Sequence, residues 1–126
     1  MNNWTSDISA QTIAFNKSQV QFNIHVLIEK EAGVFSAHCL EFDITADGNT
    51  LEEALQNIID CMKNHIEFCI EMGNYDQILD PAPQEYWSKL LISRPLRSFP
   101  FPENKLSAGM KNPIKEIDTY EVECCA

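Results

Sequence analysis

Acidic side chains crowd the stretch DITADGNTLEE, residues 43–53, where two aspartates, two glutamates and a glycine fall within eleven positions. Such a run could be an oxygen cage for a cation or an electrostatic start for a helix. A calcium loop of the EF-hand type needs oxygen ligands at positions 1, 3, 5 and 12, with glycine at 6. Asp43, Thr45, Asp47 and Gly48 meet the first half, but the twelfth position is Ala54, which has no ligand oxygen. Without that bidentate ligand the cage stays open. The helix reading accounts for more of the residues. Thr50 as N-cap and Glu53 three residues on can satisfy each other's backbone N–H groups, a capping box. Gly48 and Asn49 tolerate the entering turn, and Glu52 and Glu53 sit at the positive end of the helix dipole.

The other reactive side chains give weaker patterns. His65 has Cys61 and Cys69 at i−4 and i+4, a spacing that can place zinc ligands on one helix face. No second ligand pair accompanies them, so a structural histidine is expected. His38 precedes Cys39, but a Cys–His nucleophile also needs a base in reach and an oxyanion donor. His25 is expected on the open face of its strand. The five cysteines, Cys39, Cys61, Cys69, Cys124 and Cys125, are odd in number and form no CxxC. The N-terminus, MNNWTSDISAQT, lacks a basic-then-apolar export pattern. A disulfide framework is therefore not expected, and a cytoplasmic location is. No catalytic residue, metal or cofactor is assigned.

These residues must be positioned by the elements around them. Val20, Phe22, Ile24, Val26 and Ile28 alternate along residues 20–30, the mark of a half-buried strand. The EAG turn leads to a second strand over 34–42, and 43–47 read as a short third one. A helix is predicted over 51–72, closed by Gly73 and Asn74. Its apolar arc is about 200° wide, whereas one buried stripe needs roughly 100°. The flank of Ala54, Cys61, His65 and Phe68 is therefore expected to meet the C-terminal segment or a second copy of the chain. PQEYWSKLL suggests a short second helix.

The expected fold is α+β: a small antiparallel sheet in β-β-β-α-β order, packed on one long helix, with a short second helix. The divisions are an N-terminal arm over 1–18, with a short strand at 12–15, and an α+β domain over 19–92. A Pro-rich basic arm over 93–116 follows, then a strand over 117–126 that returns to the sheet edge. Net charge is −10. Residues 1–80 carry 3 basic and 13 acidic side chains, whereas 93–115 carry five basic and one acidic. An acidic body repels nucleic acid phosphates and favours a basic protein partner. The basic arm is expected to lie along the body or a neighbour. No run is long and apolar enough for a membrane span.

The run FSAHCLEFDITADGNTLEEALQNIIDCMKNHIEFCIE, with the strand before it, resembles the HicB antitoxin family of bacterial toxin–antitoxin pairs. The matching positions are Gly48, Asn49, Thr50, Glu53 and Ala54, and LDPAPQEYWSKL resembles the turn after the family's helix. The resemblance covers residues 24–71, and LEFDI stands where the family has Pro-Gly. Many members carry a helix-turn-helix or ribbon-helix-helix domain after the last strand. This sequence stops where that domain would begin, so operator binding is not expected of it. The resemblance implies a partial ribonuclease-H-like fold without catalytic acids. It also implies a non-catalytic protein that binds a small basic ribonuclease toxin of HicA type and covers its active site. Glu29, Glu31, Glu41, Asp43 and Asp47 are the expected partner-binding acids, on the exposed sheet face and its loops. The alternatives are a stand-alone homo-oligomeric scaffold and a small hydrolase using His38 or a carboxylate pair.

Overall fold

A computed structural model describes residues 21–122, Ala108 excepted. The arm at 1–18 with its strand at 12–15, and Cys124 and Cys125, lie outside the described residues.

Alternation builds the first strand. In β1 (Phe22–Glu31), Ile24, Val26 and Ile28 face one side and are fully buried. Ala32 and Gly33 both take positive φ, 53° and 81°. That matches a two-residue type I′ turn, whose twist suits a hairpin. β2 (Val34–Cys39) therefore returns antiparallel, with Val26 opposite Cys39. After a turn over 40–43, β3 (Ile44–Gly48) pairs antiparallel with β2.

The long helix, α1 (Leu51–Glu71), starts where its capping residues say it should. The Glu53 N–H donates to Thr50 Oγ1 at 3.0 Å. The Glu53 carboxylate reaches one residue past the cap and accepts from the Asn49 N–H at 2.6 Å. At the other end Gly73 takes φ 72°. Its N–H donates to Ile70 O, and the Asn74 N–H donates to Cys69 O. These two bonds are the Schellman closure, which favours glycine at the left-handed position.

Gly48 is required for a reason the turn does not explain. A Cβ there would lie 2.4 Å from the backbone N of Ala54 and 2.8 Å from the carbonyl carbon of Glu53. The end of β3 therefore touches the first turn of α1 directly.

The rest of the sheet departs from the sequence expectation. β4 (Ser93–Phe99) lies inside the stretch read as an arm, and β5 (Ile114–Val122) closes the fold. The five-stranded order is β3-β2-β1-β5-β4. β5 runs parallel to β1 and antiparallel to β4, so the sheet is mixed rather than antiparallel. The returning strand sits inside the sheet, not at its edge. Phe101 and Leu106, also in the supposed arm, are buried in the main core with Ile58, Met62 and Ile117. β4 escaped notice because its register slips between Pro95 and Ser98, which breaks the period of two.

Both sheet faces are covered. α1 packs on one. On the other, a short helix α2 (Gln84–Ser88) and a 3₁₀ turn (Lys89–Ile92) form a second, smaller core. There Leu27, Leu40 and Ala82 pack with Tyr86, Trp87, Leu90 and Tyr120. The face expected to be open is therefore largely closed. Among the described residues no helix is long and apolar enough to cross a membrane.

Adding one methyl group at Gly48 forces the strand and helix backbones apart. Gly48→Ala is expected to lower unfolding free energy by about 1–3 kcal/mol, and Thr50→Ala by about 1 kcal/mol through the lost cap. Urea unfolding of the two variants beside wild type measures both. An unchanged midpoint for Gly48→Ala would show that the contact relaxes freely.

Candidate functional site

The second sheet face carries most of the polar chemistry. Two histidine–carboxylate pairs stand on it, each joining a strand to the 40–43 turn. His25, from β1, uses both oxygens of Glu41. Its backbone N–H donates to Oε1 at 2.8 Å, and its Nδ1 lies 2.6 Å from Oε2. His38, from β2, holds Asp43 Oδ1 at 2.8 Å through Nε2. Asp43 makes this bond from a strained backbone, with φ 53°.

Aromatic rings wall both imidazoles. Tyr120 stacks on His25 at 5.9 Å, and Trp87 meets it edge-on at 5.8 Å. Tyr86 meets His38 edge-on at 4.8 Å. The Trp87 Nε1–H donates to Ala82 O at 3.0 Å, which sets the indole in place. The cover is tied down further by Lys89 donating to Glu29 at 2.9 Å, by the Asp80 N–H to Glu41 O and by the Ala82 N–H to Leu40 O. His25 keeps 30% of its side chain exposed, and its Nε2 has no hydrogen-bond partner among the described residues. The hydrogen bond to Glu41 raises its pKa above the ordinary 6.5; burial opposes this, and the charges of Glu41 and Asp118 add to it.

Adjacent residues in a strand point to opposite faces, so His38 and Cys39 cannot act together. Cys39 is fully buried on the α1 side, and that burial pushes its thiol pKa far up. The two side chains therefore form no nucleophile–base pair with each other. A zinc site at Cys61, His65 and Cys69 fares no better. His65 Nε2 is engaged by Ile78 O at 2.8 Å, and its ring lies 4.7 Å from Phe42. Among the described residues no group of three or more His, Cys, Asp or Glu could hold a metal ion.

The five acids proposed for a partner separate into two kinds. Glu29, Glu41 and Asp43 already hold Lys89, His25 and His38 within the chain. Glu31 and Asp47 are exposed and make no ion pair among the described residues. The proposed oligomer flank is likewise divided. Ala54 is fully buried against Gly48, within the chain's own core. His65 is engaged internally and Cys61 is half-buried, whereas Phe68 is 58% exposed. The structure adds Met72, 60% exposed one turn further on.

The basic segment has a definite target. Arg97 bonds Glu52 at 2.5 Å, and Lys105 bonds Asp60 at 2.8 Å, both on α1. Ser107 donates to Glu67 from its backbone N–H and its hydroxyl. The arm thus lies along its own body. Sequence reasoning missed the consequence. Between residues 31 and 88 Lys63 is the lone basic side chain against twelve acids, and Lys63 is taken by Glu67 at 3.2 Å. Asp76, Asp80 and Glu85 join Glu31 and Asp47 as acids with no ion pair among the described residues.

The His25–Glu41 pair carries a pH signature. A histidine pKa raised on folding contributes stability that is present in full below the unfolded value and lost as pH rises through the folded one. Unfolding free energy should therefore fall with rising pH above about 6.5 more steeply in wild type than in His25→Gln. Urea titrations of both proteins over the neutral range measure this, and parallel curves would remove His25 as the source.

Compared with known proteins, the chain matches no family model, no curated protein and no solved structure.

Proposed function

We propose that this chain is a non-catalytic binding domain of HicB type that docks a small basic protein, in the terms of the resemblance a ribonuclease toxin of HicA type. One observation carries the reading: the chain's charge is divided between its two sides. Its own basic segment pairs with two acids of α1, Arg97 with Glu52 and Lys105 with Asp60. On the hairpin Glu29 is taken by Lys89, but other acids there, on β3 and in the loop after α1 have no cation among the described residues. Glu31, Asp47, Asp76 and Asp80 are exposed there without an ion pair among the described residues. A one-sided acidic field of this kind attracts and orients a basic protein. The α+β class and the capped long helix after three strands are compatible with the same reading. A cytoplasmic place belongs to this reading.

A homo-oligomeric scaffold is the second reading. Its supporting observation is the exposure of Phe68 and Met72 on adjacent turns of α1.

The test is mass spectrometry on tagged protein purified gently from its own cells. A small basic protein in near one-to-one ratio is expected. Glu31→Lys combined with Asp47→Lys should then weaken the complex at least tenfold, about 1.4 kcal/mol, with a shallower salt dependence. Undiminished affinity in that double variant would detach the acids from binding. A clean homo-oligomer without a partner would favour the scaffold reading.

A further inference from the structure

We infer that β3 is a docking edge for an extended basic segment of a partner protein, which adds to the sheet as a sixth strand. This rests on the reading of the chain as a binder of a basic protein, and it names the surface and the form of the ligand.

The two edges of the sheet differ. β4 is blunted: Pro95 lacks an N–H, the register slips beside it, and Arg94 and Arg97 project from it. These are devices that discourage strand addition. β3 carries neither a proline nor a register slip, and its one charge is Asp47. Among the described residues it pairs with β2 alone. Outside that ladder its backbone makes one bond among the described residues, from Asn57 Nδ2 to Asp47 O at 2.8 Å. An edge strand without proline, lysine or a bulge presents N–H and C=O groups ready for a further strand.

The side chains on either side of that edge specify the occupant. Ile44 and Ala46 turn toward α1 and pack on the main core, and Thr45 and Asp47 turn the other way and are exposed. An added strand would alternate in the same manner. Its α1-facing side chains would come beside one stripe of α1. Asn57, Cys61, Phe68 and Met72 fall on that stripe by helical spacing, and Asn57 already touches β3. Beside β3 the stripe also carries exposed Asn64, and past the level where His65 meets Phe42 it is apolar and exposed at Phe68. The opposite side chains of the added strand would stand beside Asp47 and near Asp43. The fitting segment is therefore one that alternates apolar residues with lysine or arginine. Charge also selects against the obvious competitor. Two β3 edges paired in a dimer would bring Asp47 and Asp43 of each copy together, and like charges across strands repel.

The probe is a synthetic ten-residue peptide alternating valine and lysine, added to the isotopically labelled full chain and followed by amide NMR. Two control peptides carry glutamate in place of lysine, or N-methyl groups on alternate amides. Saturable binding of the lysine peptide is expected, with shifts and slowed hydrogen exchange centred on Thr45, Ala46 and Asp47. The N-methylated peptide should lose that binding. Asp47→Lys should weaken the lysine peptide at least tenfold and strengthen the glutamate peptide, a reversal that a merely unfolded variant cannot produce. Binding that ignores N-methylation, or shifts centred on Trp87 and Tyr120, would overturn the edge assignment. So would the absence of binding. If a basic protein co-purifies all the same, the binding reading survives and the edge assignment alone falls; if none does, both fall. Self-association through β3 would assign the edge to a second copy instead.

Discussion

The contact on which the rest of this fold depends is the one between Gly48 and the backbone of Ala54. A strand ends and a helix begins with two residues between them, and no side-chain carbon fits in the space left. With hydrogen as its side chain, Gly48 lets α1 start directly over β3. The Thr50–Glu53 cap then sets the helix direction, because it satisfies the first free N–H groups in one geometry. From that start, Leu55, Ile58, Met62 and Ile66 fall onto β1 and β2 without further adjustment. The same placement decides what is left over. Phe68 near the end of α1 and Met72 at its C-cap stay exposed.

The second face follows a different logic. Its apolar content is small, with Leu27, Leu40 and Ala82 at the centre, and polar groups complete the attachment. Glu41 and Asp43 bind the histidines of the neighbouring strands, and Lys89 binds Glu29. These partly exposed ion pairs add little stability singly. Their effect is positional: they hold Trp87 and Tyr86 against the imidazoles and close a face that the strand pattern alone would leave open. Acids that the composition presents as free surface charge are in part structural ties.

That distinction matters for any binding role. A net charge of −10 says that a basic partner is favoured, but not where it is favoured. The chain brings its own cations to α1, to the β4 side and to Glu29 of the hairpin, and leaves β3 and the loop after α1 acidic. The direction of the field is thus a product of folding. The two edges of the sheet share this asymmetry, one armoured with proline and arginine, the other plain and flanked by aspartates.

The sequence by itself determined the local elements. The alternation in β1, the turn after it, the capping box and the Gly73 closure each involve residues within a few positions of one another, and their chemistry is complete at that range. It also determined the α+β class and the acidic excess. Only the tertiary structure decided the parallel placement of β5, the strand character of Ser93–Phe99 and the burial of Ala54. It also decided which acids are occupied. Glu41 finds His25 sixteen residues away, and Arg97 finds Glu52 forty-five residues away. No local pattern encodes such pairs, because His25 meets Glu41 through the pairing of β1 with β2, and Arg97 meets Glu52 through the pairing of β4 with β5.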